Sequence, residues 1–153
     1  MDASGNIYVA DGKGRRVLKY GAAGELKTTL YGKPAGASAE YKKRGEADAE
    51  RNGGFRRPYG VAVDAAGGCL VVSDRGTGRI YKYDGAGNIN LVFGGRNMRV
   101  KDDRDDDKRR APEGAPEEPL GIALDAAGNL YATDGEEDRI VKYGQPSGAA
   151  PVI

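Results

Sequence analysis

The chain has 153 residues and a formal net charge of +1, which predicts one soluble domain and gives no electrostatic reason to expect binding to nucleic acid or to a membrane. Histidine is absent, which removes the commonest general base and zinc ligand, and the single cysteine, Cys69, excludes an intrachain disulfide. The 25 glycines indicate many tight turns.

Short apolar segments separated by turn residues predict β-strands along the whole chain. The first copy of a repeated pattern starts at a turn, "DASG", and continues with strands at 6–11, 16–20 and 25–32. The second and third copies add a strand before that turn, "GVAV" or "GIAL". The first copy therefore lacks the innermost strand. The last strand of the third copy is predicted from "AAPVI".

Three anchor positions recur with identical spacing in the three copies. An aspartate ends an apolar strand, an arginine follows five residues later, and a Lys-Tyr pair ends four residues after the arginine. The copies repeat about every 60 residues, which is typical of a repeat architecture. The aspartates and arginines are Asp11 and Arg16, Asp74 and Arg79, and Asp134 and Arg139.

Each aspartate ends one strand and each arginine begins the next, so the two side chains should lie side by side across a hairpin. An arginine can donate two hydrogen bonds to one carboxylate in that position. We therefore interpret the three pairs as structural clamps of the hairpins rather than as ligand-binding residues.

Four antiparallel strands per repeat, with turns every few residues, are typical of a β-propeller blade. The pattern Pro-x-Gly-[Ile/Val]-Ala-[Val/Leu]-Asp, followed by the Asp-x(4)-Arg anchor, resembles the NHL repeat. The resemblance implies an all-β propeller of four-stranded blades. It places blade 1 at about 1–32, blade 2 at about 58–95 and blade 3 at about 119–153, with insertions at 33–57 and 96–118.

Three blades are too few to close a ring, because propellers usually have four to eight. The predicted fold is therefore a partial propeller or half of an oligomeric ring. Three arrangements stay open: the chain is part of a longer propeller, two copies form a six-bladed ring, or other proteins cap an open arc.

Both insertions are rich in charged residues, and propeller topology places them on the same face as the turns that join each blade's second and third strands. Loops on a rigid scaffold commonly carry binding residues, so we expect a protein partner on this face. The candidate partner-binding residues are Lys42, Lys43, Arg44, Arg56, Arg57, Arg75, Arg99, Arg104, Lys108, Arg109 and Arg110.

No cofactor, metal or catalytic residue is predicted. The acidic run 102–107 lacks the glycine and the glutamate of an EF-hand loop, and basic residues interrupt it. The basic residues have few aromatic neighbours, which disfavours RNA. The membrane is not expected as a partner either, since no stretch is long and apolar enough to span it.

We predict a non-enzymatic protein-interaction scaffold. An assembly module of a larger complex is the alternative, and a metal-dependent lactonase-like or lyase-like propeller enzyme missing blades is less favoured. A cytoplasmic location is the default expectation, and a secreted one stays open if the N-terminus is truncated.

Overall fold

The computed structural model describes residues 1–32, 54–64, 68–94 and 114–144. These residues form ten β-strands in three antiparallel sheets, with no helix among them. The all-β fold class predicted from the sequence is confirmed. No helix in the described ranges could cross a bilayer.

Each sheet corresponds to one copy of the repeat, and we call the sheets blades 1, 2 and 3. Blade 1 contains β1 (Ile7–Asp11), β2 (Arg16–Tyr20) and β3 (Leu26–Leu30). Blade 2 contains β4 (Pro58–Val63), β5 (Cys69–Asp74), β6 (Arg79–Asp84) and β7 (Ile89–Gly94). Blade 3 contains β8 (Pro119–Leu124), β9 (Leu130–Asp134) and β10 (Arg139–Tyr143). The strand predicted after 144 and most of both insertions lie outside the described residues.

Consecutive strands pair as neighbours in every blade, so each blade is a simple meander. The innermost strands β4 and β8 pack beside each other, and β1, the first strand described in blade 1, packs against β4. Both β4 and β8 contain a bulge near their start, between Pro58 and Val61 in β4 and between Pro119 and Ile122 in β8.

The core lies in two layers, one on each side of blade 2. Alternate residues of a strand point to opposite faces of the sheet. Leu70, Val72 and Tyr81 are therefore buried toward blade 1, whereas Val71 and Ile80 are buried toward blade 3. The middle blade is stabilised from both sides, which explains its long apolar strands.

The outer faces of blades 1 and 3 carry exposed apolar side chains. Ile7 and Val9 of β1 are 47% and 41% exposed, and Ile140 of β10 is 72% exposed. Their counterparts in blade 2, Leu70, Val72 and Ile80, are almost fully buried. Blades 1 and 3 thus expose apolar side chains at positions where blade 2 buries them.

The turns that begin with aspartate are held by the aspartate side chain. The Asp2 carboxylate accepts hydrogen bonds from the backbone and side-chain nitrogens of Asn6, at 2.9 and 2.8 Å, and from the Tyr8 hydroxyl at 3.0 Å. Asp125 binds Asn129 in the same way. The Asn6 side chain is the main cause that lowers the pKa of Asp2 to about 2, and Asn129 likewise lowers the pKa of Asp125.

We expect the protein to lose stability in acid through these turn carboxylates. Their folded-state pKa lies below the unfolded value of about 3.9, so their contribution is complete above about pH 4 and falls as the pH drops toward about 2. Melting temperatures measured from pH 7 to pH 2 should show this loss. Asp125→Asn should lower the melting temperature at pH 7 and reduce its fall in acid. Equal acid dependence in Asp125→Asn and the wild type would contradict this explanation.

Candidate functional site

The carboxylate of Asp74 holds the backbone segment that leads into β4. It accepts hydrogen bonds from the backbone N–H groups of Arg56 at 2.7 Å and Arg57 at 2.6 Å, and from that of Gly76 at 3.0 Å. The side chain is fully buried, so these donors replace its lost water. The backbone of the two arginines is thereby held at the end of the blade where β5 turns into β6.

Phe55 anchors the same segment from the other side. Its ring is fully buried and packs edge-on against Tyr81, with ring centroids 5.0 Å apart. Its backbone N–H donates to the carbonyl of Tyr31 at the end of blade 1. The segment before β4 is therefore tied to two blades.

Blade 3 repeats the arrangement. The buried carboxylate of Asp134 accepts from the backbone N–H groups of Glu117 at 3.1 Å and Glu118 at 3.0 Å, which lead into β8. Its oxygen Oδ2 also lies 3.4 Å from an Nη atom of Arg139. One carboxylate therefore holds both the hairpin and the approach to the innermost strand.

In blade 1, the Asp11 carboxylate binds groups of its own hairpin. It accepts from the backbone N–H of Gly14 at 2.8 Å and from Nε of Arg16 at 2.9 Å, and the pair is part-exposed. In all three blades the register places aspartate opposite arginine, as the spacing predicts. In blades 2 and 3 the aspartate has the additional role, not foreseen from the sequence, of binding backbone N–H groups 16 to 18 residues earlier.

In blades 2 and 3, the residue before the buried aspartate carries a hydroxyl group. This hydroxyl binds a backbone N–H at the bulge of the innermost strand. The Ser73 hydroxyl oxygen accepts from the N–H of Gly60 at 2.8 Å and donates to the carbonyl of Leu120 in blade 3. The Thr133 hydroxyl accepts from Gly121 in the same way, also at 2.8 Å. Ser73 therefore links blades 2 and 3, a role that sequence reasoning missed because the two strands are far apart in the chain.

The turn of blade 2 approaches the segment before β4 closely, and Gly76 permits the approach. A Cβ atom at this position would lie 2.8 Å from the Arg57 nitrogen and from Cβ of Arg56, which real side chains do not tolerate. In blade 1 the equivalent turn ends at Arg15, whose φ of 53° is left-handed. The turns of blades 1 and 2 lie on the same face of the molecule.

A cavity of about 410 Å³ lies on this face, which we call the loop-face pocket. It collects residues from the turns of blades 1 and 2 and from the segments that lead into β4 and β8. Its lining consists of Gly12, Lys13, Arg15, Arg56, Arg57, Arg75, Gly76 and Glu118. Arg75 forms an ion pair with Glu118 across the boundary between blades 2 and 3.

Three of the predicted partner-binding residues, Arg56, Arg57 and Arg75, meet in this pocket. The sequence indicated the turn 12–15 as part of the same face but did not single out Lys13 or Arg15. Glu118 was also not singled out, because its pairing with Arg75 depends on how two blades pack. The other candidates lie outside the described residues: Lys42, Lys43, Arg44, Arg99, Arg104, Lys108, Arg109 and Arg110.

Within the described ranges, no three histidine, cysteine, aspartate or glutamate side chains come together as a metal-binding group. Cys69 is part-buried, and burial is the main cause that raises the pKa of its thiol. The charged side chains that line the pocket are cationic apart from Glu118.

The fold is a partial β-propeller, as similarity to solved structures shows. No family model and no curated protein matches the sequence. A chain in the crystal structure of a nidogen–laminin complex is similar over 92% of this chain and 39% of its own length, with a TM-score of 0.54 and 18% identity.

Two further structures are similar at comparable levels. Sqt1 of Saccharomyces cerevisiae matches 95% of this chain and 30% of its own length, with a TM-score of 0.56 and 10% identity. Streptogramin B lyase matches 97% of this chain and 40% of its own length, with a TM-score of 0.51 and 15% identity. The chain therefore spans 30 to 40% of the length of these propellers.

Replacing Asp74 by alanine should destabilise the protein by about 3 kcal/mol, because buried backbone donors lose a charged acceptor. Asp11→Ala is the matched control, since its carboxylate is part-exposed and binds groups of its own hairpin. Urea unfolding followed by circular dichroism measures both changes. A loss for Asp74→Ala no larger than that for Asp11→Ala would contradict the role assigned to the buried carboxylate.

Proposed function

We propose that the chain is a non-enzymatic interaction module, similar to NHL-repeat propellers, that binds a protein partner through the loop face. The single observation that carries this proposal is the convergence of cationic side chains from two blades and two approach segments in one pocket. Binding residues on loops are effective when a rigid scaffold positions them.

The rigidity of the loop face supports the proposal. Asp74 and Phe55 fix the backbone on either side of Arg56, and Asp134 fixes the backbone of Glu118. Side chains mounted on such a backbone lose less conformational freedom on binding than side chains on a flexible loop. The pocket therefore has a preorganised frame although it is made of turns.

The structural neighbours are compatible with more than one use of this fold. One similar chain comes from a complex of nidogen with laminin, which supports protein binding as a use of the scaffold. Streptogramin B lyase has a similar fold, but a likeness at 15% identity extends to the fold alone and does not carry its activity to this chain.

Affinity capture with charge-reversal variants tests the proposal. The pocket variant, Lys13→Glu with Arg57→Glu, should lose a protein that the immobilised wild-type chain retains from an extract of the source organism. The control variant, Lys27→Glu with Lys142→Glu, changes the net charge equally at the opposite ends of the strands and should retain that protein. Quantitative mass spectrometry of the captured proteins gives the comparison. Retention of the same proteins by both variants would contradict binding through the loop face.

A further inference from the structure

Cationic side chains outnumber carboxylates in the lining of the loop-face pocket. Five cationic side chains and one carboxylate line it, and Lys13, Arg57 and Arg75 alone exceed the Glu118 carboxylate by two formal positive charges. In the described part of the chain, no carboxylate forms an ion pair with Lys13 or Arg57. The nearby Asp74 carboxylate lies beneath the backbone and is already bound to the N–H groups of Arg56 and Arg57.

Such a cavity attracts anions more strongly than an equally charged flat surface, because its low-dielectric walls concentrate the potential. Arginine also presents a planar set of donors that matches a carboxylate or a phosphate with two hydrogen bonds. Arg15 and Arg56 have further contacts of their own. The inference therefore rests on Lys13, Arg57 and Arg75.

The residues that line the pocket exclude some classes of ligand. The lining contains no aromatic ring, so a nucleobase would find no stacking surface there. It also contains no branched apolar side chain, so an apolar anchor would gain little. The lining is therefore suited to binding oxyanions, such as carboxylates and phosphates.

The volume favours several oxyanion groups rather than one. The cavity of about 410 Å³ lies in the range of small-ligand pockets, whereas an oxygen-sized group such as water takes about 30 Å³. The pocket therefore has room for more than one oxyanion group. Carboxylates on neighbouring residues of a peptide would distribute their charges among cations that come from different loops.

We propose that the loop-face pocket binds an acidic peptide segment of a protein partner, with two or more carboxylates close together in sequence. This proposal rests on the proposed function and names the chemistry of its partner. The segment's carboxylates bind Lys13, Arg57 and Arg75.

Glu118 competes with the peptide's carboxylates for Arg75. Its carboxylate pairs with Arg75, whose side chain is 41% exposed, while the glutamate side chain is only 17% exposed. A peptide carboxylate that binds Arg75 has to share it with Glu118. Removing the Glu118 charge should therefore strengthen binding, and this result is not expected for a residue whose role is only structural.

Fluorescence anisotropy of a labelled hexa-aspartate peptide with the full chain tests the proposal. We expect binding that weakens as NaCl is raised, because the contacts are electrostatic. The pocket variant should lose about tenfold or more in affinity, while the control variant of equal net charge should lose less than about twofold. Melting curves of both variants establish that they are folded.

A folding defect can weaken binding but does not strengthen it. A variant that is expected to bind more tightly therefore tests the proposal independently of folding defects. Glu118→Gln should raise the affinity for hexa-aspartate by about threefold. Equal losses in the pocket and control variants would overturn the proposal, as would unchanged or weaker binding by Glu118→Gln. Tighter pocket-dependent binding of pyrophosphate, or of a single-stranded RNA oligomer, would assign the site to a free phosphate or to RNA and would also overturn it.

The outcomes separate this proposal from the proposed function. If partner capture depends on the loop face but hexa-aspartate does not bind, the module binds proteins by another chemistry. If hexa-aspartate binds in the pocket but no captured protein depends on the loop face, the pocket binds acidic peptides and the proposed interaction module fails.

Discussion

A buried carboxylate that binds backbone N–H groups is the interaction on which the loop face depends. Asp74 and Asp134 each end the second strand of a blade, and each reaches back to two consecutive N–H groups just before the innermost strand. A carboxylate has enough acceptor sites for these donors and for the turn that follows. One side chain thereby fixes where the chain enters a blade and where its hairpin turns.

The same constraint determines how neighbouring blades meet. Because the approach to β4 is fixed, its bulge places the N–H of Gly60 against Ser73, and the Ser73 hydroxyl reaches the Leu120 carbonyl of blade 3. Arg75, two residues further on, meets Glu118 across the same boundary. The interface between blades 2 and 3 therefore consists of an apolar layer with a polar rim on the loop face.

Local sequence patterns predicted much of the fold. The runs "RVLKY", "RIYKY" and "RIVKY" begin the strands β2, β6 and β10 where the structure has them, because alternation and turn residues are local signals. The Asp-to-Arg spacing likewise predicted which residues face each other across the hairpins. The similarity to NHL repeats in particular stays a prediction, since no family model matches.

The site was only partly predictable, for a physical reason. The bond from Asp74 to the Arg57 backbone connects residues on opposite sides of a complete innermost strand, and no local pattern signals it. Lys13 and Glu118 meet Arg75 only after three blades pack side by side. Topology indicated the correct face of the molecule, whereas the members of the pocket depend on the packing between blades.

Amide hydrogen exchange measured by NMR tests the central role of the buried carboxylates most directly. The N–H groups of Arg56, Arg57, Glu117 and Glu118 lie outside the strand ladders, where amides usually exchange quickly. We expect them to be protected as strongly as the amides of β5 and β9, and to lose this protection when the adjacent aspartate is replaced by alanine. Exchange of these four amides at the rate of an unprotected loop in the wild-type chain would contradict the account.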